Sequence, residues 1–153
     1  MNIFPWKKKK DFFTAEEQQL ITDAIQNAER MTSGEVRVFV ESKCSYMDAI
    51  DRAAELFFHL EMQKTDDRNA VLLYVAMKDR QLAVFGDEGI HKKVGNEYWN
   101  NEVHKMISNF NRENYAAGIV VVVKDIGEAL TRYFPYIKET DKNELPDDIV
   151  FGK

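Results

Sequence analysis

The chain reads as an α/β domain built on a small mixed β-sheet of three to four strands, flanked by helices. Three observations predict it. Residues 70–77 form a continuous apolar run with the length of a strand buried on both faces. The polar turn Lys78-Asp79-Arg80 joins that run to a second one, residues 81–85, and a turn so short makes the two strands antiparallel. A β-branched run at residues 36–40 precedes both, and a helical pattern separates it from residue 70, which is the layout of a right-handed parallel crossover.

The elements follow in order. Residues 1–14 form a basic and aromatic arm, with Phe4 and Trp6 before Lys7, Lys8, Lys9 and Lys10 and with Phe12 and Phe13 after them. Thr14-Ala15-Glu16-Glu17 is a capping box, a hydroxyl at the N-cap with Glu at N3. Leu20, Ile21, Ala24, Ile25 and Ala28 then recur at helical spacing, predicting a helix over residues 15–31 that Thr32-Ser33-Gly34 stops. Ser45 is placed to cap a second helix, whose apolar face is Ile50, Ala53, Ala54, Phe57 and Leu60. Beyond Gly95 the pattern is helical again, with Trp99, Val103, Met106, Ile107 and Phe110 on one face. Residues 114–136 are ambiguous: residues 119–123 have strand propensity, whereas Ile126, Ala129, Leu130, Tyr133 and Phe134 have helical period. The pattern favours one long buried helix. Residues 15–138 therefore make one domain, and residues 139–153, polar and acidic with Pro146, an irregular tail.

Composition limits the partners. A chain of 153 residues with 44% hydrophobic and 31% charged residues is globular. The net charge of -5, with basic and acidic residues interspersed, argues against nucleic acid. Cys44 has no internal disulfide partner, and His59, His91 and His104 are too scattered for a zinc site. Neither residues 70–77 nor residues 119–123 approach the roughly 20 residues needed to cross a bilayer. No signal-peptide pattern follows the first charges, so a cytoplasmic location is expected. Lys7, Lys8, Lys9 and Lys10 make at most a weak contact with an anionic membrane surface, and a solvated arm explains them more simply.

Chain direction yields a candidate site. The start of the second strand lies beside the end of the third, so Asp66, Asp67 and Asn69 fall next to Asp87 and Glu88. Glu35 opens the first strand, parallel to the second, and points to the same rim. Gathering carboxylates costs like-charge repulsion, which a bound hard cation offsets. Calcium takes six to eight oxygens with tolerant geometry, and magnesium, which keeps more water, is the second choice. A simpler account also fits: Asp87 and Glu88 cap the following helix, and Arg68 neutralises Asp66 or Asp67.

The same segments carry a family resemblance. Gly34-Glu35-Val36, Asp66-Asp67-Arg68-Asn69 before the apolar strand, Arg80 in the hairpin, Phe85-Gly86-Asp87-Glu88-Gly89-Ile90 and Tyr115-Ala116-Ala117-Gly118-Ile119 occur in that order. Together they resemble the TPM domain, also described as a TPM-phosphatase domain, shared by thylakoid-lumen and photosystem-II repair proteins and bacterial relatives. The likeness covers roughly residues 15–138. It implies a three-layer α/β/α sandwich, a helix for the valine-rich stretch, and a divalent-cation site in the acidic loops, often calcium. The matching residues are Asp66, Asp67, Asn69, Asp87 and Glu88, with Asp125 as a further candidate. Relatives are often exported or membrane-tethered, a localisation not carried over to this sequence.

No catalytic residue is assigned. Cys44 has no Arg in a phosphate-cradling loop after it, no Asp-x-Asp follows a strand, and Gly86 and Gly89 are explained by backbone turns. Metal-assisted phosphoester hydrolysis at the rim, with Arg68 meeting phosphate, ranks as an alternative to simple cation binding. A third alternative is a protein partner held by Tyr98, Trp99, Tyr133, Phe134 and Tyr136, although their helical spacing favours core positions.

Overall fold

A computed structural model describes residues 12–111, 114–136 and 149–152. Helix α1 spans Ala15–Glu29, β1 Glu35–Glu41, α2 Ala49–His59, β2 Ala70–Ala76, β3 Gln81–Gly86, α3 Glu88–Asn111, α4 Tyr115–Tyr133 and β4 Val150–Phe151. The strands form one mixed sheet in the order β3-β2-β1-β4. β1 runs parallel to β2 with Glu35 opposite Ala70, and β2 pairs antiparallel with β3 with Val71 opposite Gly86.

The unbroken apolar run of β2 conceals an alternation. Val71, Leu73 and Val75 join Val36, Val38 and Val40 on one face, against α1, α3 and α4. Ala70, Leu72, Tyr74 and Ala76 face the other way, with Phe39 and with Ala53, Leu56 and Phe57 of α2. Because helices cover both faces, all seven residues of β2 are buried, and the one polar side-chain group among them, the Tyr74 hydroxyl, is hydrogen-bonded to Glu41. The result is the expected three-layer α/β/α sandwich.

Local chemistry sets the helix limits. Thr14 Oγ1 accepts from the Glu17 N–H at 3.1 Å, and Glu17 Oε1 accepts from the Thr14 N–H at 2.9 Å, which closes the capping box. Helix α1 ends at Glu29, two residues short of the expected limit, with Arg30 as C-cap. Asp48, not Ser45, occupies the N-cap of α2, and its side chain makes no capping bond. Helix α3 begins well before Gly95, at Glu88, and that glycine marks a break within it (φ 80°, ψ 171°). Past the break the packed stripe is Trp99, Glu102, Met106 and Phe110; Ile107 lies off it and is 40% exposed.

Residues 119–123 are helical. β-branching costs a helix well under 1 kcal/mol per residue, and burial of Ile119, Val122 and Val123 outweighs it. The tail departs from expectation where it is described: Val150–Phe151 adds a short strand parallel to β1, beside Phe39 and Val40. The Phe12 ring stacks on Phe151 with centroids 6.5 Å apart, and Phe13 is buried, so these two aromatics pack on the domain. Lys7, Lys8, Lys9 and Lys10 lie outside the described residues. Among the described residues no helix is long and apolar enough to cross a membrane.

Candidate functional site at the acidic rim

The loop before β2 and the turn after β3 meet as the strand directions require. The Asp87 N–H donates to the Ala70 carbonyl at 2.9 Å, and the Gly89 N–H donates to the Arg68 carbonyl at 2.8 Å. Only glycine allows that approach, because a Cβ at Gly89 would stand 2.1 Å from the Asp67 carbonyl oxygen and 2.6 Å from that of Arg68. Gly86 is required for a similar reason, with the Trp99 ring 2.3 Å from where its Cβ would be. Close approach, rather than a turn conformation, therefore explains both glycines.

The charges at this junction pair differently from the simple expectation. Arg68 turns away from its sequence neighbours and forks onto Asp87, with Nε to Oδ2 at 2.6 Å and Nη2 to Oδ1 at 2.8 Å. Its third nitrogen, Nη1, reaches Glu88 Oε1 at 2.8 Å. Asp87 is 3% exposed; its carbonyl accepts from the His91 N–H at 2.9 Å, which places it at the N-cap of α3, and its Oδ1 takes the N–H of the adjacent Glu88 at 2.8 Å. The two carboxylates hold the Arg68 guanidinium above its usual range, Asp87 contributing most. Arg68 is thus committed to carboxylates rather than presented to a phosphate. Its backbone sits in the left-handed region at φ 51°, which is uncommon for a side-chain-bearing residue.

The remaining rim candidates fall into three groups. Asp66 and Asp67 are exposed on the loop. Glu35 is buried at the start of β1, opposite Ala70 in the register and at the same end of the sheet. Asn69 is buried: its Nδ2 donates to Ser33 Oγ at 3.2 Å, and its carbonyl accepts from the Glu35 N–H at 3.4 Å. Its Oδ1 is also buried, with no hydrogen-bond donor among the described residues. No group of three or more His, Cys, Asp or Glu side chains among the described residues is placed to hold a metal ion.

Asp125 belongs elsewhere. It lies on α4, where Lys105 Nζ donates to its Oδ2 at 2.6 Å and to Glu102 Oε2 at 3.3 Å. Glu102 is buried, and that burial, reinforced by the neighbouring Asp125 carboxylate, pushes its carboxyl up to about 7 against the opposing pull of Lys105. A second charged knot escaped the sequence reading. Glu41, buried at the far end of β1, accepts from Arg52 Nε at 2.9 Å and Nη2 at 3.0 Å and from the Tyr74 hydroxyl. Burial, with Glu41 beside it, drives the Tyr74 hydroxyl far above its usual range.

The aromatic residues do not form a continuous exposed surface. Trp99 is buried with its Nε1 donating to His91 Nδ1 at 3.0 Å, and the Tyr98 hydroxyl donates to the Asp125 carbonyl at 3.1 Å. Tyr133 and Phe134 are half-buried and pack on the core, which leaves Tyr136 exposed. Cys44 is buried, its Sγ donating to the Met47 carbonyl at 3.2 Å.

A mixed sheet between helical layers, with loops of carboxylate and amide side chains meeting at one end, defines a class of small α/β domain. The chain belongs to the TPM domain family, whose model matches residues 7–129. Among solved structures it is similar to the BA42 protein of the psychrophilic bacterium Bizionia argentinensis, at 40% identity over 92% of this chain and 96% of that one, with a TM-score of 0.84. The N-terminal domain of cg2496 from Corynebacterium glutamicum (10% identity, 88% of this chain and 83% of that one, TM-score 0.64) shares the fold. So does the N-terminal domain of a protein from P. gingivalis (15% identity, 80% of this chain and 78% of that one, TM-score 0.66). A search of curated proteins finds no match.

Proposed function

We propose that the acidic rim binds a divalent cation, calcium before magnesium, and that the domain works as a cation-responsive binding or regulatory module. The observation that carries this reading is Asn69 Oδ1, a buried carbonyl oxygen with no donor among the described residues, in the loop that also carries Asp66 and Asp67. An oxygen left in that state costs about 1–3 kcal/mol, and a hard cation is a partner that recovers it. The two loops also carry the carboxylates of Asp66, Asp67, Asp87 and Glu88, all oxygen donors of the kind calcium takes.

Arg68 sets the terms of binding. Its guanidinium already neutralises Asp87 and Glu88, so a cation must displace it from those oxygens. Displacement is cheap on the arginine side, because the Arg68 side chain is 37% exposed and can move into water. Calcium titrated into chelator-stripped protein is expected to raise the melting temperature, by an amount equivalent to about 2.7 kcal/mol at a hundred times the dissociation constant. The double variant Asp66→Asn with Asp87→Asn should lose that response. A full response in the double variant would move the site elsewhere, and no shift at millimolar calcium in the parent protein would remove it.

A further inference from the structure

Among the described residues β3 is an edge strand that pairs only with β2, and none of them covers its outer side. Since Asp87 and Ala70 exchange a ladder bond, the alternation of an antiparallel pair puts Phe85, Ala83 and Gln81 in hydrogen-bonded register with Leu72, Tyr74 and Ala76. Leu82, Val84 and Gly86 then direct their backbone N–H and C=O groups away from β2. Among the described residues no backbone hydrogen bond reaches those outward groups. Edge strands are usually protected by charge, proline or a bulge. Gln-Leu-Ala-Val-Phe-Gly, the sequence of β3, carries neither a charged residue nor a proline.

The open edge lines a groove of about 860 Å³ between α2 and α3. Ile50 and Phe58 of α2 supply one wall, each 48% exposed despite its size, and Trp99 and Val103 of α3 supply the other. Successive side chains of an added strand would alternate between these two apolar walls. The charged groups at the groove are acidic on balance: Asp48 at the hairpin end, and at the other end Asp87 and Glu88, whose one guanidinium neighbour, Arg68, they already hold.

We propose that β3 takes an added strand from a protein partner, an extended segment of about six residues with apolar side chains at successive positions and a basic residue at each end. Backbone bonds to Leu82, Val84 and Gly86 supply the pairing, the two walls select apolar side chains, and the carboxylates at the groove ends select the flanking cations. This surface shares Asp87 and Glu88 with the cation reading, whereas its pairing edge, the outward backbone groups of Leu82, Val84 and Gly86, plays no part in that reading.

The test uses the full chain and a blocked synthetic peptide, Lys-Val-Phe-Val-Thr-Val-Lys, followed by NMR. Binding should shift and protect from exchange the amides of Leu82, Val84 and Gly86. Two N-methylated versions of the peptide, each blocking one alternate set of amides, separate strand pairing from apolar contact. One set should weaken binding by about tenfold or more, and the other should leave it nearly unchanged. Leu82→Pro, which removes an outward donor and leaves the ladder to β2 intact, should weaken binding by a similar factor. Equal effects of the two methylated peptides, or no binding of the unmodified one, would overturn the proposal. So would exchange protection of the three amides before any peptide is added, which would mean that the chain's own terminus or a second copy already fills the edge.

Discussion

Two arginines fork onto buried carboxylates at opposite ends of the sheet, Arg52 on Glu41 and Arg68 on Asp87, and their surroundings differ in ways that bear on function. Glu41 is enclosed: the Arg52 fork and the Tyr74 hydroxyl occupy both of its oxygens, and Arg52 also holds Glu55 at 2.6 Å. The Arg68 pair sits at the rim, and its loop also carries the exposed Asp66 and Asp67 and a buried Asn69 whose Oδ1 has no donor among the described residues. A closed network has nothing to gain from a new ligand. On the proposed reading, a half-exposed guanidinium in a loop with an unsatisfied oxygen and spare carboxylates is open to exchange for a metal cation. On that reading, the same fork is a structural clamp in one place and a placeholder in the other.

The largest effect is expected where the clamp is broken. Arg52→Ala leaves Glu41 buried and uncompensated and should cost about 3 kcal/mol in denaturant unfolding, with no recovery on adding calcium. Recovery there would mean that the two ends of the sheet are equivalent and would break the comparison. Gly89→Ala follows, because its Cβ meets the Asp67 and Arg68 carbonyls. A loss of about 2 kcal/mol is expected, together with loss of the calcium-dependent rise in melting temperature, since the two loops must part.

These two variants also separate what the sequence discloses from what it hides. The capping box at Thr14 and Glu17 and the hairpin at residues 78–80 are local, and local chemistry was enough to read them. Strand directions alone brought residues 66–69 to residues 87–88. The partner of Arg68 was hidden, because adjacency in sequence points to Asp66 and Asp67 whereas hairpin closure places Asp87 and Glu88 nearer. The β4 strand is two residues long and pairs with a strand more than a hundred residues earlier, so no periodicity announces it. Glu41 and Glu102 look like ordinary surface acids until tertiary packing covers them. Asp125 enters only as a further candidate through the family resemblance, and packing of α4 against α3 pairs it with Lys105.

Glu102 sharpens the comparison from a third position, a buried carboxylate held by a half-exposed lysine rather than a fork. Its carboxyl is raised from 4.5 to about 7 chiefly by burial, so between those values the folded protein binds more protons than the unfolded chain. Stability from this group is therefore full below about pH 4.5 and falls as pH rises to about 7, by at most about 1.4 kcal/mol per unit. Glu102→Gln, which mimics the protonated form, should flatten that slope and show its advantage in melting temperature at pH 8 rather than at pH 5. Parallel pH profiles for the two proteins would place the titration elsewhere.

The central claim is that Arg68 holds the place of a cation, and calorimetric titration of calcium into chelator-stripped protein and its Arg68→Ala variant tests it most directly. With the competing guanidinium removed, the variant should bind calcium more tightly than the parent, by about tenfold or more. Equal or weaker binding in the variant, or no binding in either, would contradict the claim and leave Arg68 as a structural clamp like Arg52.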